Sequence, residues 1–242
     1  MKLIIVRHAD PDYTIDSLTP KGWKEAEFLS QRLSKLDVKD FYVSPMGRAK
    51  ATASCTLEKI GRTAQEKPWL REFSALVCKP NKEGMSDIAW DWLPQDWAVR
   101  EEFFHYDTWM ENDQLGAGNI REEYQWVTNG LDEVLAEHGY VRDGHLYRTE
   151  QGNNDTLVFF CHLGVGCVLL SHLLSISPMI LWHGFCAAPS SVTTVVTEER
   201  RKGYAYFRVG SYGDISHLYA NEEPASFMAR FCERFENEER HD

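Results

Sequence analysis

Two arginines and two histidines stand at or just beyond the ends of apolar runs in this 242-residue chain, and their types suit the handling of a phosphoryl group. Arg7-His8 directly follows Leu3-Ile4-Ile5-Val6, Arg48 lies five residues after Val43 of Phe41-Tyr42-Val43, and His162 follows Leu157-Val158-Phe159-Phe160-Cys161. A neutral imidazole can attack phosphorus in line and form a covalent phosphohistidine. Fixed guanidinium donors and a second imidazole stabilise the charge spread over the three equatorial oxygens of the transferring group. A carboxylic acid must also protonate the leaving alcohol and then take a proton from water. This chemistry needs no metal ion. The other histidines (His105, His138, His145, His172, His183, His217 and His241) lack metal-ligand spacing and read as structural or surface residues. His217 is the one to compare with the pocket.

These side chains need elements to aim them. Four consecutive aliphatic residues read as a fully buried, parallel-type strand, which puts Arg7 and His8 at its carboxyl end, where open α/β sheets bind ligands. A second strand is expected at 40–43. Ser44 is expected to cap the next helix with Pro45 at its first position, carrying Arg48 in the first turn and the chain to about Ile60. A cation there opposes the helix dipole and calls for an anion nearby. A third strand-to-helix unit runs from 156 to 161, through His162 and Leu163-Gly164-Val165-Gly166, into a helix at 165–174. Its glycines permit a tight turn, and its free amides, beginning at Leu163, point at the same spot.

The rest of the pattern alternates in the same way. Thr19 and Pro20 open a helix with apolar Trp23, Ala26, Leu29 and Leu33 at helical spacing. A short strand is expected at 66–70, a long helix at 120–138, and late strands at 191–197 and 204–209. Asp143-Gly144 signals a type I′ hairpin, and a C-terminal helix is expected from about Pro224, fraying through the acidic 233–242 end. The alternation predicts a three-layer α/β/α fold with a mostly parallel central sheet, as a single domain over 1–242. Periodicity is lost at 73–118, which reads as an inserted subdomain covering the site. Trp90, Trp92, Trp97 and Trp109 fall there and read as a small apolar core rather than a substrate cage. Tyr13 and Thr14 follow strand 1 as ordinary polar-loop residues.

Taken in order, Arg7-His8-Ala9, Leu18-Thr19-x-x-Gly22-x-x-x-Ala26, Ser44-Pro45-x-x-Arg48-Ala49-x-x-Thr52-Ala53 and Cys161-His162-x-Gly164 resemble the histidine phosphatase (phosphoglycerate mutase-like) superfamily, branch 1. The resemblance implies a phosphoglycerate mutase-like fold with His8 as the phosphorylated nucleophile. It implies phosphate binding by Arg7, Arg48, His162 and the backbone at Leu163. Leu70-Arg71-Glu72 matches the Leu-x-Glu that carries the family's acid. Two departures stand out: Ala9 replaces the commoner glycine, and Phe73-Ser74-Ala75-Leu76 replaces the usual Gly-x-Trp-Glu-Gly after the acid. Glu122 and Glu123 therefore stay open as alternative acids.

A formal charge of −11 argues against nucleic acid or an anionic membrane as the main partner, so any anion site must be built locally. The longest apolar stretch, at 157–174, is interrupted by His162, Ser171 and His172 and supports no membrane span. Six cysteines without C-x-x-C pairing (Cys55, Cys78, Cys161, Cys167, Cys186 and Cys232) read as free thiols of a cytoplasmic protein. The expected activity is metal- and cofactor-independent hydrolysis of a small phosphorylated metabolite. Mutase-type phosphotransfer and a weakly catalytic phospho-ligand-binding module are the alternatives. Oligomeric state is not legible.

Overall fold

The computed structural model describes residues 1–82, 86–116, 118–228, 233–234 and 237–240. Leu3–Val6 are all buried in β1 (Lys2–Arg7) because neither face of this strand meets solvent. With a side-chain period of two, Leu3 and Ile5 point to one face, and Ile4 and Val6 to the other. Leu3 and Ile5 join Leu157, Phe159, Leu131 and Val168 in one cluster, while Ile4 and Val6 join Phe41, Val158, Phe160, Leu29 and Ala53 in a second. Two apolar faces on one sheet require helices on both sides.

The elements follow as α1 (Pro20–Leu33), β2 (Asp40–Val43), α2 (Gly47–Ile60), β3 (Gln65–Glu66), α3 (Ile120–Glu137), β4 (Val141–Asp143) and β5 (Leu146–Thr149). They continue as β6 (Thr156–Cys161), α4 (Leu163–Leu174), α5 (Pro178–Gly184), β7 (Val192–Arg201) and β8 (Gly203–Asp214). The sheet order is β3-β2-β6-β1-β7-β8-β5-β4. The first four strands are mutually parallel, and β7, β8, β5 and β4 extend them in antiparallel pairs. Register sets Arg7 beside Cys161 and Phe160 beside Val43, so the chain leaves β1, β6 and β2 at one common end.

Several local expectations are corrected. Ser44 does not cap α2: the cap position is Met46, and the Ser44 hydroxyl is engaged by His162. Asp16 caps from outside instead, its Oδ2 accepting the Gly47 N–H at 2.7 Å. The 66–70 strand is only Gln65–Glu66, followed by a 3₁₀ turn at Pro68–Leu70 that Pro68 initiates. The hairpin loop is Gly144-His145 with only Gly144 at positive φ (61°), the type II′ pattern rather than I′. No helix starts at Pro224. Residues 224–227 are irregular because their polar groups bond outward: Lys21 Nζ donates to the Pro224 carbonyl and Ser226 Oγ to Asp10. Glu233–Arg234 pairs antiparallel with Asn237–Arg240 instead of forming a fraying helix. Cys232 and His241 lie outside the described residues.

Residues 73–118 contain a small hairpin, Leu76–Cys78 with Ser86–Ile88, and short helical turns. Among the described residues there, the apolar side chains build no separate core. Phe73, Trp92, Phe103 and Trp109 are buried in the same cluster as Leu131, Phe159 and Val168. Trp109 meets Trp182 and Tyr124 edge-on, so it is a packing residue of the main body.

One buried carboxyl under the loop after β1 makes a stability prediction. Glu25 on α1 accepts the Asp10 N–H at 2.9 Å through Oε2, while its buried Oε1 has no partner. Burial pushes this carboxyl up to about 7. The unfolded chain ionises it from about 4.5, so stability falls as pH rises between those two values. The full loss is on the order of 3 kcal/mol. Glu25→Gln removes this ionisation and is expected to be more stable than wild type by about 2 kcal/mol above pH 7, with no gain at pH 4.5. Urea melts of both proteins at the two pH values check this, and a pH-independent difference would contradict it.

Candidate active site

The common strand end brings the two histidines together. The His8 N–H donates to the Cys161 carbonyl at 2.9 Å, tying the exit of β1 to that of β6. The imidazole rings of His8 and His162 lie 5.1 Å apart, tilted by 59°. His8 is buried, its Nδ1 2.8 Å from the Ala9 carbonyl, an acceptor that fixes the proton on Nδ1. Its Nε2 therefore carries the lone pair and accepts from Arg48 Nε at 3.3 Å. Burial, with Arg7 and Arg48 alongside, holds His8 well below the usual histidine range and keeps it neutral. His162 is depressed in the same way, first by burial and then by His8, Arg48 and Arg7. Its Nε2 lies 2.7 Å from Ser44 Oγ, and its buried Nδ1 has no hydrogen-bond partner.

The two arginines are held rather than loose. Arg7 donates from Nη1 to the Ala187 carbonyl and from Nη2 to the Met228 carbonyl at 3.0 Å, while its buried Nε has no partner. Arg48 Nη1 pairs with Asp16 Oδ1 at 2.6 Å, and its guanidinium lies 5.3 Å from the Tyr13 ring centre. Tyr13 thus belongs to the wall of the arginine. Thr14 only shapes the loop by donating to Asp12. Gly47 is required here, since a Cβ would lie 2.1 Å from the Asp16 carbonyl oxygen.

Glu72 enters this group from the corner after the Pro68–Leu70 turn. Its Oε1 accepts from Phe73 N at 2.8 Å and Val165 N at 2.9 Å, and its Oε2 from Gly164 N at 3.3 Å. Two of the helix-entry amides expected to face a phosphoryl group are thus taken by this carboxyl, leaving the turn at Leu163. Burial raises the Glu72 carboxyl above the ordinary range, and those amides and Arg7 pull it only part of the way back. Gly164 permits the approach: a Cβ there would lie 2.8 Å from both Glu72 Oε1 and Trp90 Nε1. Trp90 therefore borders the carboxyl, unlike Trp92 and Trp109 in the core.

The alternative acids are placed elsewhere. Glu122 is exposed in the first turn of α3. Glu123 is buried but committed to Arg71 at 3.1 Å and to Ser74 N at 2.7 Å. His217 is buried and linked to His8 through Ser190: its Nε2 lies 3.0 Å from Ser190 Oγ, and the Ser190 N–H donates to the His8 carbonyl. Asp16, Ser44 and Ser190 are the supporting residues that sequence reasoning did not place. Among the described residues, no group of three or more His, Cys, Asp or Glu is arranged to hold a metal ion, and no helix is long and apolar enough to cross a membrane.

No curated protein matches the chain by sequence. Solved structures do match its fold. Phosphoserine phosphatase from Entamoeba histolytica, determined with phosphoserine, superposes with a TM-score of 0.56 at 18% identity, covering 90% of this chain and 98% of that one. A mycobacterial glucosyl-3-phosphoglycerate phosphatase gives 0.58 at 18% identity over 88% and 98%, and mycobacterial hydrolase 2 gives 0.60 at 17% over 92% and 97%. At these identities the likeness speaks for the architecture. Residues 3–208 match the histidine phosphatase superfamily (branch 1), and with the expected motifs gathered at one sheet end, the chain belongs to that family.

Proposed function

We propose that this protein hydrolyses a small phosphomonoester through a phosphohistidine on His8. One observation carries the reading: a neutral imidazole whose Nε2 lone pair faces Arg48, with a second imidazole and Arg7 beside it, at the end of a buried parallel strand. In the first step Nε2 bonds to phosphorus as the P–O bond to the alcohol breaks, and Glu72 gives its proton to the departing oxygen. In the second, Glu72 takes a proton from water, whose oxygen bonds to phosphorus as the P–N bond breaks. Arg7, Arg48 and His162, with the backbone at Leu163, hold the equatorial oxygens throughout. A phosphoryl group reaching Arg7 Nη2 takes over from the Met228 carbonyl. The segment 73–118 supplies the cover and, through Trp90 beside Glu72, the leaving-group wall.

Purified protein is expected to hydrolyse p-nitrophenyl phosphate with EDTA present. Because His8 is held neutral, the acid limb of kcat/KM, corrected for ionisation of the substrate, should fall below pH 6.5. Activity that depends on an added divalent metal would refute the mechanism. An acid limb at or above 6.5 would refute the assignment of the depressed group.

A further inference from the structure

The buried Glu123 lies one layer behind Glu72 and touches both flanks of the corner that carries it. Its Oε1 accepts the Ser74 N–H at 2.7 Å and the Ser74 hydroxyl at 3.4 Å, two residues beyond Glu72. The same oxygen pairs with Arg71 Nη1 at 3.1 Å, one residue before it. Arg71 Nη1 closes the loop by donating to the Glu72 carbonyl at 3.3 Å and to the Ser74 hydroxyl, and its guanidinium lies 5.1 Å from the Trp126 ring centre on α3. Just upstream, Trp69 packs onto the same helix where only glycine fits, since a Cβ at Gly130 would lie 2.4 Å from the indole. Helix α3 therefore holds the chain from Trp69 to Ser74 at three successive points.

That corner decides where the Glu72 carboxyl sits. The chain has no Gly-x-Trp-Glu-Gly after Glu72 to shape the turn, and Phe73-Ser74 is tied down by the carboxylate instead. We propose that Glu123 is a positioning residue for proton transfer, fixing the Arg71–Ser74 corner so that the Glu72 carboxyl stays on the leaving-group oxygen. The proposal rests on the reading of Glu72 as the acid. Glu123 itself touches neither substrate nor the reacting atoms.

The test is kcat/KM over phosphomonoesters whose leaving groups run from nitrophenol to simple alcohols. Glu72→Gln is measured first: a loss that grows as the leaving group becomes more basic establishes the acid, and a uniform loss removes that reading whatever Glu123 does. Glu123→Ala is then expected to lower alkyl phosphate hydrolysis about tenfold and aryl hydrolysis less than about threefold. Glu123→Gln keeps an oxygen for the Ser74 N–H and is expected to recover most of the alkyl activity. The double variant with Glu72→Gln should be no slower than Glu72→Gln alone, because the positioned group is already gone. Equal loss on aryl and alkyl substrates, or multiplicative loss in the double variant, would overturn the proposal. So would a Glu123→Gln defect as deep as that of Glu72→Gln, which would make Glu123 the acid. Should Glu123→Ala fail to fold, Glu123→Asp, which withdraws the carboxylate by one methylene, must show the same aryl–alkyl split.

Discussion

His8→Ala is expected to lose turnover on every phosphomonoester by a factor on the order of 10⁴ or more, with the fold retained. The side chain supplies the attacking lone pair, and the surrounding groups offer no substitute. Among the described residues, His162 is the only other imidazole in ring contact with it, and of its two nitrogens Nε2 is bonded to Ser44 while Nδ1 is buried. Structural losses should be small. His8 contributes a neutral ring bonded through Nδ1 to the carbonyl of the next residue and through Nε2 to Arg48, which Asp16 also holds, whereas the strand is held by backbone bonds to Cys161 and Ser190 that alanine keeps. Steady-state assays beside a thermal melt check both halves. A variant that folds and retains more than about one part in a hundred of the activity would displace His8 as nucleophile.

Glu72→Gln is expected to slow alkyl phosphates by about 10² to 10⁴ while costing nitrophenyl phosphate much less. Nitrophenolate leaves without a proton, whereas an alkoxide does not. The amide is close in shape to the carboxylic acid but cannot hand over a proton. Its oxygen can still accept from Phe73 or Val165, which limits disruption of the corner. The pH profile should change with it. Burial raises this carboxyl, so the protonated form extends toward neutral pH, and the basic limb that depends on it should vanish in the variant. A uniform loss on both substrate types, with the basic limb intact, would leave Glu72 as a structural cap on α4.

Strands β1, β2 and β6 of the parallel half were legible because they are largely buried and read as apolar runs, whereas β3 is two exposed polar residues. Arg7, His8 and His162 follow those runs directly, so strand ends alone place them. The antiparallel extension was less legible. β7 and β8 were anticipated as strands, but the pairing of β7 with β1 and of β8 with β5 depends on long-range register that no local pattern carries. Ser44 shows how tertiary demand overrides a local rule: it has the type and spacing of a helix cap, yet its hydroxyl orients His162, and a carboxylate 31 residues upstream of Gly47 caps the helix. The C-terminal segment failed for a similar reason, since contacts from Lys21, Asp10 and Arg7 determine its path. Glu72 was legible only through the Leu-x-Glu resemblance. Its partners, the α4 amides and the Glu123 corner, come from distant elements.

The central claim is covalent transfer to His8. Protein mixed with a ³²P-labelled phosphomonoester in EDTA and quenched in denaturant at alkaline pH within one turnover should carry label on the chain. That label should be stable to base, labile to acid, and located on the peptide holding His8, and the His8→Ala protein should carry none. Turnover of wild type without labelled protein at any quench time, or label that resists acid, would contradict the phosphohistidine.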